Sequence, residues 1–184
     1  YGKYAILGNH DYGEYYPWDS EEECLENMES LKNVFRKSGF RLLLNEHEYI
    51  ERDGQKFTLA GVENWGKPPF PQYGDLAGTL KNIDNNEFII LMSHDPSHWD
   101  AQVKNHPNVF LTLSGHTHAM QFGIGFGQWQ WSPVKWKYKN WAGLYSENGQ
   151  HLYVNKGLGF IGFPGRVGMY PEITVFHLTS AAGN

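Results

Sequence analysis

Short apolar runs that end in polar loops dominate the hydrophobic pattern of the chain. Residues 4–7, 88–92 and 109–113 are runs of this kind, and each is typical of a short buried strand in a parallel sheet. Asp53-Gly54 is a hairpin signal between two further predicted strands. The complete set of predicted strands adds residues 40–44, 48–52, 57–62, 152–154 and 173–178.

Helical periodicity is confined to three segments between these strands. The longest has apolar residues at helical spacing, with Ser20 as the predicted N-cap and Gly39 at the predicted end. The periodic positions are Leu25, Met28, Leu31 and Phe35. Shorter helices are predicted over residues 75–83, with Asp75 as the cap, and over 97–104. The alternation of strands and helices predicts an α/β fold.

Composition narrows the possible functions. The 184 residues are enough for one globular core, and a net charge of -5 argues against a protein built mainly to bind nucleic acid. No run approaches the length of a membrane span and no targeting segment is recognised, so we expect a cytoplasmic location or one peripheral to a membrane. The first residue is Tyr1, and we therefore expect the chain to derive from a longer protein.

Three of the apolar runs lead directly into loops that contain histidine. The first leads to Asn9-His10-Asp11, the second to His94-Asp95, and the third to His116 and His118. Because adjacent strand ends bring their loops together at one edge of a sheet, these side chains are expected to converge. Imidazole suits Zn, Fe and Mn, and two histidines in a glycine-led turn can address two neighbouring ions.

These loops resemble a known family. Gly8-Asn9-His10-Asp11, His94 and Gly115-His116-Thr117-His118 are similar, in order, to the last three motif blocks of calcineurin-like metallophosphoesterases. The similarity continues through residues 156–159 and 171–173, which resemble a bacterial branch that is often membrane-associated. Some members of that branch act on lipid-linked or nucleotide-linked phosphodiesters. The resemblance implies an α/β sandwich of two facing mixed β-sheets flanked by helices.

The resemblance also implies roles for individual residues. The implied metal ligands are Asn9, His94 and His116 for one ion and His118 for the other. His10 is expected beside the scissile phosphate, with Asp11 orienting its ring. The implied activity is hydrolysis of a phosphomonoester or phosphodiester with two divalent ions, Mn, Fe or Zn. The implied substrate is a phosphorylated small molecule or a lipid-linked compound.

The chain departs from the family pattern at its start. The first two family blocks, Asp-x-His and Gly-Asp-x-x-Asp, have no counterpart before Gly8. Residues 74–78 resemble the second block, but they follow the asparagine block. We therefore expect residues 1–184 to be the C-terminal portion of a single metallophosphoesterase domain, whose N-terminal half is missing from this chain. On this interpretation, metal occupancy is weak or partial and the chain alone is inactive.

The segment from Trp129 to Trp141 has an alternating pattern of its own. Lys135, Lys137 and Lys139 alternate with Trp136 and Tyr138, which predicts a strand with one basic and one aromatic face. This strand could be part of an ordinary hairpin, or it could guide a phosphorylated, partly apolar substrate or contact a membrane surface. The candidate substrate-binding residues are Lys135, Trp136, Lys137 and Arg166.

Two alternatives to a phosphoesterase stay open at this point. One is a binding module in which the Trp/Lys segment contacts nucleic acid or a membrane and the histidine loops are inert. The other is a degenerate fragment that binds metal weakly and catalyses nothing. Asp95 is expected to act as a turn residue or to orient His94 rather than to bind metal.

Overall fold

The computed structural model describes residues 2–126 and 129–179. Within these ranges the chain forms an α/β fold, as predicted, with one large mixed sheet and two small sheets. The strands are β1 (Tyr4–Ala5), β2 (Arg41–Leu42), β3 (Glu46–Arg52), β4 (Gln55–Gly61), β5 (Ile89–Met92), β6 (Val109–Ser114), β7 (Ile124–Phe126), β8 (Trp129–Trp131), β9 (Gly143–Glu147) and β10 (Gln150–Val154).

The large sheet has the strand order β3-β4-β5-β6-β10-β9. Its four central strands, β4, β5, β6 and β10, run parallel, while β3 and β9 pair antiparallel at the two edges. Parallel strands are covered on both faces, which explains the continuous apolar runs in β5 and β6. Their carboxyl ends therefore lie at one edge, where the histidine loops begin.

A cluster of buried side chains ties the central strands to the short helices. Ile89, Leu91 and Val109 from the sheet are fully buried, and Trp99 packs with them at 2% exposure. Each such side chain contributes roughly 1.5–3 kcal/mol when it is removed from water. The core thus fixes the strands whose ends carry the candidate site.

Three α-helices are described, α1 (Glu21–Lys37), α2 (Leu76–Thr79) and α3 (Ser97–Ala101). The predicted start of α1 is confirmed, because the Ser20 hydroxyl accepts a hydrogen bond from the Glu23 amide at 3.1 Å. Gly39 follows the helix with a φ of 78°, as a C-terminal glycine should. Asp75 caps α2 by accepting from the Gly78 amide, also as predicted. None of the described helices is long and apolar enough to cross a membrane.

The small parallel sheet of β1 and β2 packs against β4 at a glycine. A Cβ atom on Gly61 would lie 2.5 Å from Cβ of Leu43 and 2.8 Å from Cγ2 of Ile6. Ile6 and Leu43 directly follow β1 and β2, so the absence of a side chain at Gly61 allows this close contact. The contact sets the position of β1, and with it the position of the loop that starts at Gly8.

Two sequence predictions are wrong. Residues 173–178 form no strand; Ile173 and Val175 are 78% and 74% exposed, and no strand within the described ranges pairs with them. The alternating residues 135–139 are not a strand either, because Pro133–Trp136 is a 3₁₀ turn; within the segment only Trp129–Trp131, ahead of the alternation, is a strand. Ser132 caps that turn and Pro133 occupies its first position, which is a helical start signal that overrides the period-2 pattern.

Substitution of Gly61 by alanine tests the contact between the sheets. The added methyl group would have to displace Leu43 or Ile6, and overpacking of this kind typically costs about 1–3 kcal/mol. Urea unfolding should show this loss for Gly61→Ala. Gly159→Ala is the matched control, since nothing lies within 4 Å of its Cβ position. Equal stability of the two variants would contradict the proposed packing.

Candidate metal centre

The loops after β5 and β6 are locked together by their backbones. The Ser93 amide donates to the Leu113 carbonyl, and the Gly115 amide donates to the His94 carbonyl, both at 3.0 Å. The Ser114 hydroxyl adds a third bond, to the Ser93 carbonyl at 2.6 Å. Parallel pairing therefore continues past the ends of the strands and places His94 beside the His116 loop.

Asn9 joins these two loops to the one after β1. Its side-chain oxygen lies 3.1 Å from Nε2 of His94 and 2.9 Å from Nδ1 of His116. The amide nitrogen donates to the hydroxyl of Tyr15 at 3.0 Å, which directs the oxygen towards the two rings. Asn9 is only 2% exposed. The predicted convergence of Asn9, His94 and His116 is therefore seen in the structure.

The spacing of these three atoms suits a metal ion. Two ligand atoms about 2.1 Å from one ion and at right angles to each other lie about 3.0 Å apart. An amide oxygen and two imidazole nitrogens are also an accepted ligand set for Zn, Fe and Mn. Within residues 2–126 and 129–179, no group of three or more His, Cys, Asp or Glu side chains is arranged to hold an ion. The candidate set therefore contains three ligands only when the Asn9 oxygen is counted.

Gly8 makes room for His94. A Cβ atom on Gly8 would lie 2.6–2.7 Å from three atoms of the His94 ring. Any side chain at this position would thus push the imidazole away from Asn9. The glycine of the first motif therefore has a steric role that is specific to the candidate ligand His94.

Burial keeps both rings neutral near pH 7. Burial, and secondarily the nearby His116, lowers the pKa of His94 to about 3. Burial likewise lowers the pKa of His116 to about 4, with His118 as the second cause. A metal ion needs the lone pair of a neutral imidazole. These two residues can therefore bind a cation without first losing a proton.

His118 lies in a backbone segment of unusual conformation. Positive φ angles occur at His116, His118 and each of residues 119–121, between 47° and 65°. Non-glycine residues pay about 1–3 kcal/mol each for such conformations, which persist where the surroundings enforce them. The Thr117 hydroxyl donates to Trp141, and the Gln121 side chain donates to the carbonyls of residues 163 and 165.

The His118 ring points a free nitrogen into the protein. Its Nδ1 atom is buried and has no hydrogen-bond partner among the described residues. Burial, followed by the charge of Arg166, lowers the pKa of His118. The ring lines the same cleft as Asn9, His94 and His116. A buried nitrogen with an unused lone pair is what a further metal ligand would present.

His10 and Asp11 differ in their surroundings. His10 is exposed at the mouth of the cleft, and its ring lies 4.7 Å from the ring of Tyr15. Asp11 is partly buried and accepts a hydrogen bond from the Gly8 amide at 2.7 Å. Within the described part of the chain, no hydrogen bond joins Asp11 to the His10 ring, so the expected orientation of His10 by Asp11 is not seen. Asp11 instead folds the loop that carries Asn9.

A cleft of about 490 Å³ opens above the three ligand candidates. Lys137 is one of the predicted substrate-binding residues that reach it, and its ammonium lies 5.1 Å from the centre of the Phe70 ring. Trp136 instead packs edge-on against Trp131 and is 75% exposed, and Lys135 is exposed outside the lining of the cleft. Phe160 and Ile161 complete the apolar side of the opening.

Arg166 is engaged with the backbone rather than facing open space. Its guanidinium donates to the carbonyls of Lys156 at 2.7 Å and Gly159 at 2.8 Å, with longer contacts to those of His118 and Met169. These bonds hold the segment that borders the cleft. To bind substrate, as predicted, Arg166 would have to use its remaining N–H group or displace these bonds.

Sequence reasoning missed three residues that contact the ligand candidates. Tyr15 orients Asn9, as described above. The Tyr138 hydroxyl lies 2.7 Å from Nε2 of His116, although the sequence pattern assigned Tyr138 to the aromatic face of a strand. Asp95 was expected to act as a turn residue or to orient His94; it accepts from the Ser97 amide in a turn, and its other oxygen lies 3.6 Å from Nε2 of His116. Contacts of this kind depend on tertiary packing, and no local pattern signals them.

Comparison with known proteins identifies the family. The model of the calcineurin-like phosphoesterase family matches residues 1–120. The chain therefore belongs to the calcineurin-like phosphoesterase family, as the motif blocks predicted. Members of this family generally use divalent metal ions. No solved structure matches the chain.

Several curated relatives are similar over nearly the whole chain. The uncharacterized metallophosphoesterases YkuE and YkoQ of Bacillus subtilis are 34% and 30% identical to it, over 98% and 96% of the chain. A "transmembrane protein with metallophosphoesterase domain" from Danio rerio is 29% identical over 98% of the chain. The chain spans 57%, 60% and 39% of the lengths of these three relatives, respectively.

Gly8→Ala tests the steric role of Gly8 in metal binding. The methyl group should displace the His94 ring and weaken binding of Mn²⁺ or Zn²⁺ by roughly 10–100-fold, as measured by calorimetry on metal-depleted protein. Gly159→Ala, which has open space at its Cβ position, should bind as the unchanged protein does. Undiminished affinity in Gly8→Ala would exclude His94 as a ligand in the position described.

Proposed function

We propose that the protein hydrolyses phosphomonoesters or phosphodiesters with the help of divalent metal ions. The observation that carries this proposal is the convergence of three candidate ligand atoms. The side-chain oxygen of Asn9 lies 3.1 Å from Nε2 of His94 and 2.9 Å from Nδ1 of His116. Divalent ions bound there would polarise the phosphoryl oxygens and activate water for attack on phosphorus. The membership of the calcineurin-like phosphoesterase family supports the same reaction class.

A two-ion site is proposed with unequal shares of ligands. Asn9, His94 and His116 would hold one ion, and His118 would contribute its unpartnered Nδ1 to the second. Within the described residues we assign no carboxylate that bridges these two positions. We therefore propose that the 184-residue chain takes up the first ion readily and the second weakly, and that it turns over slowly without further ligands.

His10 is proposed to act on the substrate and not on the ions. It follows the ligand Asn9 directly and lines the cleft from its exposed mouth. From there the imidazole can donate a hydrogen bond to a phosphoryl oxygen as charge builds up, or pass a proton to the leaving oxygen. Both roles need a ring that can reach the substrate, which the exposure of His10 allows.

The rim of the cleft supports a substrate with both a phosphate and an apolar portion. Lys137 supplies a positive charge at the cleft, while Phe160 and Ile161 supply apolar surface beside it. Phe126 and Trp129, in the neighbouring β7–β8 hairpin, are 87% and 61% exposed. We propose a phosphorylated small molecule or a lipid-linked compound, presented in the second case at a membrane surface. Nucleic acid is not expected, given the net charge of -5.

A comparison of two neighbouring substitutions tests the assigned roles. In the full-length natural protein, His10→Ala should lower turnover of bis-p-nitrophenyl phosphate about 10²–10⁴-fold while metal content stays near that of the unchanged protein. Asn9→Ala should lose both metal and turnover, because it removes the oxygen that lies between His94 and His116. Metal content is read by plasma mass spectrometry on the same preparations.

Two results would contradict these assignments. Loss of metal from His10→Ala as severe as that from Asn9→Ala would make His10 a ligand. Rapid turnover by the 184-residue chain itself, abolished in His116→Ala, would show that the chain holds both ions without further ligands.

The contribution of Lys137 can be separated from that of Lys135. Loss of the charge at the cleft should raise KM for an anionic amphiphilic phosphodiester roughly tenfold in Lys137→Ala, and leave kcat nearly unchanged. Lys135→Ala is the matched control, because Lys135 is exposed outside the lining of the cleft. Equal effects of the two substitutions on KM would exclude a specific role of Lys137 in substrate binding.

A further inference from the structure

Asp95 is a buried carboxylate with one oxygen that is not satisfied. The residue is 0% exposed. Its Oδ1 atom accepts hydrogen bonds from the amide and the hydroxyl of Ser97, whereas its Oδ2 atom has no hydrogen-bond partner in the described residues. An unpaired buried oxygen of this kind typically costs about 1–3 kcal/mol, and more when charged. The start of helix α3 accounts for one oxygen of Asp95 and leaves the other unexplained.

The unsatisfied oxygen lies near a candidate ligand, His116. Oδ2 of Asp95 lies 3.6 Å from Nε2 of His116, which is 8% exposed in its side chain. The hydroxyl of Tyr138 lies 2.7 Å from the same nitrogen. The backbone of Gly66 closes another side, since a Cβ atom there would lie 2.9 Å from Oδ2. Asp95 and Tyr138 thus flank the nitrogen of His116 that points away from Asn9.

The two nitrogens of an imidazole cannot play the same role in a metal site. The nitrogen that binds the ion offers a lone pair, and the other nitrogen then carries the proton and needs an acceptor. In His116 the first position is Nδ1, which faces the Asn9 oxygen at 2.9 Å. Without an ion, the contact with the Asn9 oxygen takes a proton on Nδ1, because an amide oxygen only accepts. When an ion binds Nδ1, the proton of the neutral ring moves to Nε2, beside the Tyr138 hydroxyl at 2.7 Å and the Asp95 carboxyl group at 3.6 Å.

We propose that Asp95 and Tyr138 are positioning residues that hold His116 with its proton on Nε2, so that Nδ1 is free to bind a metal ion. The Tyr138 hydroxyl accepts that proton in a hydrogen bond at 2.7 Å, and the Asp95 carboxyl group, 3.6 Å from the same nitrogen, favours the N–H electrostatically. Together they fix the tautomer and the plane of the ring. The inference rests on the proposed function, since it assumes that His116 is a ligand. It assigns to Asp95 a task that the turn contact with Ser97 does not require.

The placement of Asp95 separates this role from that of a ligand. Its free oxygen lies next to the nitrogen of His116 that is remote from Asn9, and not among the three converging atoms. The placement also distinguishes the positioning of His116 from a purely structural role of Asp95, because the Ser97 contacts use only the other oxygen. Asp95→Ser keeps a hydroxyl that can accept from the Ser97 amide in the turn but cannot reach His116, so it isolates the second oxygen.

The experiment compares Asp95→Asn, Asp95→Ser and Tyr138→Phe with the unchanged chain, using Zn²⁺ as the probe. We expect each Asp95 variant to fold and to bind the same number of ions, with affinity about 10–100-fold lower in calorimetry. Tyr138→Phe should lose less, since the carboxylate remains. Asp100→Asn is the matched control, because Asp100 lies in the helix that follows Asp95, contacts Lys104 and does not line the cleft. This substitution should change nothing.

A second readout follows the proton itself. In zinc-loaded protein labelled with ¹⁵N-histidine, the Nε2–H signal of His116 should be slow to exchange, and it should exchange faster in Asp95→Ser. Unchanged affinity and unchanged exchange would overturn the inference. Complete loss of zinc, as in His116→Ala, would overturn it too and make Asp95 a ligand. If the unchanged chain binds no zinc, the proposed function fails and the inference falls with it.

Discussion

The pairing of β5 with β6 is the constraint on which the candidate site depends. Backbone hydrogen bonds at 3.0 Å continue beyond both strands, from Ser93 to Leu113 and from Gly115 to His94. A one-residue slip in this register would turn every side chain to the opposite face and separate the two imidazoles. The buried core beneath the strands, with Leu91, Val109 and Trp99, makes such a slip costly. Packing of the core, away from the cleft, thus determines the position of His94 relative to His116.

Electrostatics explains why the site is held so tightly. Burial of His94 and His116 disfavours their protonated forms and lowers the pKa of each. Asp95 is buried nearby with one oxygen free of hydrogen bonds, so the site also contains an acceptor for an imidazole N–H. Neutral rings, a carboxylate behind one of them and an amide oxygen in front form a pocket that favours a cation.

Local chemistry in the sequence predicted much of the fold and the first contacts of the site. The Ser20 and Asp75 caps, the buried runs of β5 and β6, and the loops that carry Asn9, His94 and His116 depend on neighbours along the chain. The β9–β10 hairpin was predicted only in part, since a strand was expected over residues 152–154 but not at β9. The sequence contains a signal for a tight turn between these strands, Asn148-Gly149, and both residues have positive φ.

The pattern of hydrophobic and polar residues did not predict features that depend on tertiary contacts. The alternation around Lys137 predicted a strand, but the Ser132-Pro133 start produced a turn that directs Tyr138 inwards. Residues 173–178 have strand-like composition, yet a strand needs a partner for its backbone groups, and composition carries no information on that partner. Asp95 was expected to be a turn residue or to orient His94; it does accept from the Ser97 amide in a turn, but the proximity of its other oxygen to His116 depends on the fold.

Anomalous diffraction from crystals grown with Zn²⁺ or Mn²⁺ tests the central claim most directly. The claim is that Asn9, His94 and His116 form the primary cation site of this chain. It predicts an anomalous peak about 2.0–2.2 Å from the Asn9 side-chain oxygen, Nε2 of His94 and Nδ1 of His116. A map with no peak there at saturating metal, or with the ion bound elsewhere and these rings facing away from it, would contradict the account.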